Sequence, residues 1–438
     1  MSAPLYSWGR FPRTPQRGHG CVWLDELPGH LDKVIEAHRS SLPYGNGRSY
    51  GDSCLATSNQ VLHMRSLDRL IDADWDDGVL TVEAGVTLAE VLTVSIPRGW
   101  FLPVTPGTQF ATVGGAIAND VHGKNHHVRG TFGRHVRSFG LLRPGQPGIT
   151  CSPDANASLF SASIGGLGLT GIIHWAQLQL MPIRASQIDT TTVRFANLAE
   201  FFALSDELDE QHEYSVAWVD CLAKGADTGR GVFIVGDHAP YGSLDVGRRT
   251  KLSVPLTPPV SLINSVSLGV FNTLYWRLHP SQRRLGRSDY EPFFYPLDRV
   301  LHWNRIYGRR GFQQYQCVIP TANAEAAMAE LLRAIAHAGQ GSFLAVLKRC
   351  GDVRSPGLLS FPMPGTSLAL DFPHSEQLEN VLFPRLDAIV RAAGGRLYPA
   401  KDAHMSGADF RQAYPAWERL EALRDPSLMS RFWSRVLS

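Results

Sequence analysis

The stretch Gly107–Gly133 reads GTQFATVGGAIANDVHGKNHHVRGTFG. A short apolar run lies between the pair Gly114-Gly115 and a polar cluster of His122, Lys124, Asn125, His126 and His127. Glycine lacks the Cβ that blocks close backbone approach or forbids positive φ. The segment therefore predicts main chain drawn up against a ligand and ringed with donors. Two further loops share this character: Gly45-Asn46-Gly47-Arg48-Ser49-Tyr50-Gly51 upstream, and Gly165-Gly166-Leu167-Gly168-Leu169-Thr170-Gly171 downstream. Three such loops within about one domain's length predict a large, elongated, phosphate-bearing ligand lying along main-chain amides.

None of the three is a Gly-x-Gly-x-x-Gly turn opening a helix after a strand, and none carries the Gly-Lys-Ser/Thr end of a Walker loop. Ser161-Ala162-Ser163 is not a nucleophile elbow, which argues against a hydrolase. Among the histidines, His122, His126 and His127 lack the helical spacing and acid partner of a zinc protease, and Asp120 is the single nearby carboxylate. Hydrogen bonding to a cofactor or phosphate suits them better than a metal.

Around these loops the chain has the composition of an ordinary globular protein. Its 438 residues are 44% hydrophobic and 19% charged, enough for two or three domains. A formal net charge of +2 argues against nucleic acid, and Arg248-Arg249 and Arg283-Arg284 read as solvated surface. Six scattered cysteines (21, 54, 151, 221, 317 and 350) show no zinc or redox spacing and fit a reducing compartment. The N-terminus lacks a signal-peptide core, and no run of some 18 apolar residues predicts a membrane span. Val260–Trp276, punctuated by Asn264, Ser265 and Ser267, reads either as a buried segment or as a contact for lipid.

In order, helix is predicted over Leu24–His38, strand at Leu42–Tyr44 and at Val61–Met64, and loop or a turn of helix over Ser66–Asp72. A half-buried strand follows at Gly78–Gly85. Thr87-Leu88-Ala89-Glu90 is a capping box whose helix Pro97 and Gly99 close. Ile172–Met181 alternates as a long strand. Beyond Pro182 come a helix over Ala196–Glu210 and strands at Tyr214–Asp220 and Val232–Gly236. Weak periodicity from Pro255 to Arg287 leaves a mobile, ligand-gated loop or irregular packed structure. Strand Phe312–Ile319, helix Ala322–His337, strands Phe343–Lys348 and Leu368–Phe372, and helix Glu376–Ala393 predict an antiparallel sheet with helices on one side. Tyr398–Ser434 reads as helical pieces. Several polar residues interrupt these apolar strands or flank them: Tyr295, Gln314, Gln316, Lys348 and Asp371. They satisfy one another in a core network or face a site. Lys401, beside Tyr398 and Asp402, suits a base, a substrate anchor, or a charge opposite an anionic intermediate.

Together these motifs resemble the FAD-binding oxidoreductases of the vanillyl-alcohol-oxidase type, and more closely the decaprenylphosphoryl-β-D-ribose 2′-oxidase group. The likeness rests on Gly47-Arg48-Ser49-Tyr50-Gly51-Asp52, Pro106-Gly107-Thr108, Thr112-Val113-Gly114-Gly115-Ala116-Ile117-Ala118, His122-Gly123-Lys124-Asn125-His126-His127, Gln314-Tyr315-Gln316 and Tyr398-Pro399-Ala400-Lys401-Asp402. It covers nearly the whole chain. It implies an α+β fold: a two-part FAD-binding domain of the PCMH type, residues 1–183 and 396–438, with an inserted substrate domain, 184–395, containing an antiparallel sheet flanked by helices.

Noncovalent FAD is implied. Gly45, Asn46, Gly47, Arg48, Ser49, Tyr50 and Gly51 would line its ADP and pyrophosphate. So would Pro106, Gly107, Thr108, Thr112, Gly114, Gly115, Ala118 and Asn119, with Gly168, Gly171 and Ile172. Nearer the flavin would lie His122, Gly123, Lys124, Asn125, His126, His127 and Tyr398. Lys401 corresponds to the lysine between flavin and substrate, with His126, His127 or Tyr50 helping to orient the reacting oxygen. Ser215, Tyr295, Gln314, Gln316, Lys348, Ala369 and Asp371 would face substrate. The mycobacterial members carry a cysteine where this chain has Ala369, which implies indifference to thiol-directed inhibitors. Ser367 and Leu167 each replace an asparagine, which bears on the substrate more than on the cofactor.

The activity implied is oxidation of a polyprenyl-phosphoryl-ribose at C2, in the cytoplasm or at the membrane face, with an NAD(P)H-dependent reductase completing an epimerisation. Two alternatives stand beside it: a flavin oxidase of another sugar, aldonolactone or alcohol, and a non-catalytic scaffold of the cell envelope.

Overall fold

The computed structural model describes residues 3–247, 252–263, 265–279 and 281–438; Arg248-Arg249 and Asn264 lie outside them. Two sheets organise the chain. The first is antiparallel, with strand order Leu70–Asp74, Val79–Glu83, Ile172–Gln179, Val136–Leu142, Ile149–Cys151. Helices Leu88–Ser95 and Val113–Ala118 share a core with it, built from Leu80, Val82, Leu92, Val113, Ile117 and Phe139. The capping box is formed as predicted: the Thr87 hydroxyl accepts from the Glu90 amide at 3.3 Å, and the Glu90 carboxylate accepts from the Thr87 amide at 2.8 Å. Gly99, at φ 80°, ends the helical run. Helix Leu27–His38 packs Leu27, Leu31 and Val34 beside a small parallel sheet of Arg17–His19, Gln60–His63 and Pro43–Tyr44.

The second sheet has eight antiparallel strands in the order Arg284–Ser288, Ile188–Phe195, Gly231–His238, Tyr214–Val219, Ala345–Cys350, Gly365–Pro373, Phe312–Pro320, Arg396–Leu397. Helices Leu198–Leu208, Ala324–Ala338 and Phe383–Ala392 pack Phe201, Met328, Leu331 and Leu386 against Phe233, Tyr315, Leu347 and Leu368. Because side chains alternate along a strand, Tyr315 and Cys317 join that core while Gln314 and Gln316 face away from it, into a cavity.

Four expectations need correction. Ser66–Asp72 contains the start of strand Leu70–Asp74, whose residues are mostly exposed and so carry no apolar alternation. Strand Val79–Glu83 is buried at four of five positions rather than half-buried, since it pairs on both sides and lies under helices. The long strand stops at Gln179, and Met181–Pro182 pairs separately with Trp100–Phe101. The stretch left without periodicity holds helix Ser265–Leu278 and strand Arg284–Ser288. That helix buries Leu268 and Asn272 yet exposes Val270, Phe271, Leu274 and Leu278, so no apolar stripe marks it. Among the described residues, no helix is long and apolar enough to cross a membrane.

After Leu397 the chain returns to the N-terminal loops through three short helices, Gly407–Ala413, Trp417–Leu423 and Arg431–Leu437. The amides of Asp425, Met429 and Arg431 donate to the carbonyls of Leu169, Ser41 and Leu55 at 2.9, 3.1 and 2.7 Å.

Candidate active site

A cavity of about 330 Å³ lies between the glycine loops and the open face of the eight-stranded sheet. Gly45 to Tyr50 form one wall, and Pro106, Gly107, Thr108, Thr112, Gly114, Gly115, Ala118 and Asn119 continue it. His122, Gly123, Lys124, Gly168, Gly171 and Tyr398 complete that side; Gln314, Gln316, Lys348, Ala369 and Lys401 face it from the other. Residues more than 350 positions apart thus meet in one space.

The glycines do two kinds of work. Gly107 lines the cavity, and a Cβ built on it meets no atom within 4 Å. Gly51 does not line it: a Cβ there would stand 1.7 Å from the Asp402 carbonyl oxygen, so this glycine lets the first loop press against the returning C-terminal segment. Next to it the Tyr50 amide donates to the Ala400 carbonyl at 3.0 Å. That contact sets Lys401 against Tyr50, its Nζ 3.7 Å from the ring centroid.

Electrostatically the walls favour an anion. Arg48, Lys124, Lys348 and Lys401 line the cavity against one carboxylate, Asp298, which accepts from the Thr108 hydroxyl and the Gln109 amide. Arg48 is held between the rings of Trp8 and Phe110, 4.1 and 5.0 Å from their centroids, and its buried Nε has no partner among the described residues. Burial lowers the Lys124 amine to about 8. His122 sits at the junction, with Lys348 Nζ 2.6 Å from its Nδ1 and Gln316 Nε2 3.1 Å from its Nε2. Burial, and then the Lys348 charge, drive its pKa well below the ordinary value, so the ring is neutral. With Lys348 donating to Nδ1, the proton lies on Nε2, and a rotated Gln316 amide accepts it.

Several expected residues stand elsewhere. Asn125, His126 and His127 lie behind the wall, tying the two sheets' elements together. The Asn125 amide donates to Pro103 O and Glu213 Oε1 at 2.8 and 2.9 Å, His127 Nε2 is 3.0 Å from His212 O, and Arg129 pairs with Glu213. Ser215 is buried and meets this run through its amide, 3.0 Å from Lys124 O, while its neighbour Val216 lines the cavity, as strand alternation requires. Ile172 packs in the core beside Leu62, leaving Ile173 to the wall. The Tyr295 hydroxyl is spent on Thr105 at 2.6 Å, and Asp371 is fully buried behind Gln314. The Asp120 carboxylate accepts from the Gly133 amide and the Ser355 and Ser360 hydroxyls. Sequence reading missed Trp8, Val216, Asp298 and Trp303; for Val216 the signal was its place one residue along the predicted strand from Ser215, and for the others only proximity to the irregular segments around residues 8 and 296–303.

Comparison with known proteins agrees with this geometry. A family profile described as an FAD binding domain matches residues 30–145. The chain is similar to decaprenylphosphoryl-β-D-ribose oxidase of Mycolicibacterium smegmatis, 35% identical over 89% of this chain and 87% of that protein. It is 36% identical to an uncharacterised Streptomyces coelicolor protein, over 78% of this chain and 96% of that one. L-gulonolactone oxidase of Mus musculus is 29% identical over 32% of this chain and 31% of its own length. The donor-lined, cation-rich walls fit an FAD pyrophosphate, and the Nε of Arg48, unpartnered among the described residues, is one donor for it. Sharing an FAD-binding domain and near full-length similarity, the chain belongs to the decaprenylphosphoryl-β-D-ribose oxidase family of FAD-dependent oxidoreductases.

Proposed function

We propose that the chain oxidises the 2′-hydroxyl of a polyprenyl-phosphoryl-β-D-ribose to the 2-keto sugar, the first half of an epimerisation to the arabinose form. Supporting this is one observation above others: a cavity-lining lysine, Lys401, joins the glycine-loop wall to a sheet face bearing Gln314, Gln316 and Lys348. In this reading residues 1–183 and 396–438 hold noncovalent FAD, and 184–395 cover it. FAD, when bound, supplies the hydride acceptor. Lys401 stabilises negative charge developing on the sugar oxygen, held in place by the Tyr50 ring. Burial, and next the Asp371 charge, push the Tyr50 hydroxyl well up, so it remains a donor. Neutral His122 fixes the Gln316 amide through Nε2, Gln316 in turn orients the sugar, and Lys348 anchors an anionic group.

Two experiments test the reading. Fresh protein should show flavin absorbance that bleaches on anaerobic addition of polyprenyl-phosphoryl-ribose; bleaching by a soluble sugar or aldonolactone instead would transfer the activity to that substrate. The prenyl chain is assigned to the segment around 255–290. Leu256, Val260, Leu262, Val270, Phe271 and Leu274 are exposed there, and Ile263 packs on the Trp303–Tyr307 cluster that reaches Trp8 and Tyr50 at the cavity wall. Lipid substrate should protect this segment from limited proteolysis, and equal cleavage with and without it would remove the assignment. The same exposed face suits peripheral membrane contact. The keto product calls for a partner reductase of the NAD(P)H-dependent class.

A further inference from the structure

Asp371 has no place on the cavity wall, yet everything around it bears on residues that do. It lies in strand Gly365–Pro373 directly opposite Gln314, fully buried. Its Oδ1 accepts from Gln314 Nε2 at 2.6 Å, and its amide donates to the Ser342 hydroxyl at 3.0 Å. The other carboxylate oxygen, Oδ2, is buried and has no hydrogen-bond partner among the described residues. Such a half-satisfied carboxylate is expensive to keep in a dry interior unless a positive charge compensates it.

The groups facing it come from four elements. Tyr50 belongs to the first glycine loop, Tyr307 to the turn before strand Phe312–Pro320, Gln314 to that strand, and Lys401 to the C-terminal segment. Lys401 is the one cation among them. Lys401 in turn feels Asp371, stands over the Tyr50 ring, and acts on His122 across the cavity. Three residues that line the cavity, Tyr50, Gln314 and Lys401, are therefore the ones that Asp371 touches or polarises from behind.

We propose that Asp371 is a positioning residue for the reaction: from outside the cavity it keeps Lys401 as an ammonium and fixes the direction in which the Gln314 amide faces substrate. This rests on the role proposed for Lys401. The physical logic is a balance of two effects. Burial lowers the affinity of Lys401 for its proton, and the Asp371 charge raises it again. An amine that must be charged works below its own pKa and fails above it, so the carboxylate extends the working range upward in pH. Removing the carboxylate lets burial act alone, and the amine loses its proton at a lower pH.

Asp371→Asn in the FAD-loaded enzyme tests this, because the amide keeps the size of the side chain and can still meet Gln314. Two readouts are compared with the unchanged protein. One is the pH dependence of anaerobic flavin reduction by substrate. The other is direct titration of Lys401 by NMR, with ¹³C-labelled lysine; the chain has six lysines, and Lys401 is assigned as the resonance lost in Lys401→Met. We expect FAD content to be retained, KM to change little, and kcat at mildly alkaline pH to fall about tenfold or more. The Lys401 midpoint and the basic limb of the rate profile should move together to lower pH, by about one unit or more. A rate loss with both midpoint and limb unmoved would overturn the proposal, since a merely structural role produces that pattern.

If the carboxamide variant does not fold, Gln314→Leu is the second probe. It removes the hydrogen bond that favours the ionised carboxylate, so the Lys401 midpoint should again fall, and an unmoved midpoint again overturns the idea. Should the unchanged enzyme not be reduced by polyprenyl-phosphoryl-ribose, the substrate assignment fails while the NMR titration still decides the role of Asp371.

Discussion

Lys401→Met retains FAD and loses nearly all flavin reduction by substrate, a fall in rate of about 10²–10³-fold, the usual effect of removing one preorganised group that stabilises a developing oxyanion. The side chain is well placed for such a loss. It lines the cavity, its Nζ sits 3.7 Å from the centroid of the Tyr50 ring, and no ion pair holds its charge on the protein surface. Cofactor binding should survive because the glycine loops, Arg48, Lys124 and Lys348 keep the walls favourable to an anion when Lys401 is replaced. Folding should survive as well. With the amine gone, Asp371 is left buried without a cation, but burial already pushes that carboxyl upward, so it takes up a proton instead of remaining an unpaired charge. Stopped-flow reduction under anaerobic conditions, with the visible spectrum recorded first, separates these outcomes. Reduction at the unchanged rate would end the assignment of Lys401, and loss of the flavin spectrum would move it to cofactor binding.

Arg435→Met produces the second large effect, and through stability. Arg435 lies near the end of the last helix and closes a fork on Asp52, with Nε and Nη2 at 3.0 and 2.9 Å from its carboxylate. Nη2 also reaches Asp402 at 2.8 Å, and Nη1 donates to the Met405 carbonyl. Both carboxylates are nearly inaccessible, with side chains 6% and 2% exposed. For Asp402, burial works to raise the pKa, yet Arg435 and His404 together hold it below the ordinary carboxylate range. Taking away the guanidinium breaks a buried ion cluster: Asp402 keeps only His404 as a cation beside it, and Asp52, whose pKa burial already raises, is left without one. The cost is about 3–5 kcal/mol. That is a large share of a typical folding free energy of about 5–15 kcal/mol. The loss falls where it matters for catalysis, since Asp52 follows Gly51 in the first loop and Asp402 follows Lys401. A lower melting temperature, partly restored by excess FAD through mass action, is the expected result. Lys at this position should be intermediate, because an ammonium keeps the charge but not the fork. Equal melting curves for all three proteins would show that the ion cluster contributes nothing to holding the loop and the lysine together.

Much of the local structure was readable before any coordinates. The capping box at Thr87–Glu90, the glycine stop at Gly99, and the alternation of strands and helices from Phe312 to Ala393 are short-range patterns, and they appear where the residues place them. The helix Ser265–Leu278 escaped because its apolar residues point both inward and outward. At the site, the motif Gly-Lys-Asn-His-His announced itself as a unit, yet the structure divides it. Lys124 faces the cavity, whereas Asn125 and His127 are committed to Glu213 and His212 on the opposite side of the junction. The histidines of this run look alike in a sequence, and only the path of the backbone decides that His122 lines the cavity while His126 and His127 stand behind its wall.

By itself, then, the amino-acid sequence determined the glycine loops, the caps, the periodicities and the family, because each depends on residues close along the chain or on a motif kept intact. The tertiary structure alone decided the strand order of the eight-stranded sheet, in which neighbours in space are distant in sequence, and with it the pairing of Gln314 with Asp371. It also decided that Arg435 meets Asp52 across 383 positions and that Lys401 meets Tyr50. Such meetings depend on the closure of long loops and on burial shared among many elements, so no local pattern of residues records them.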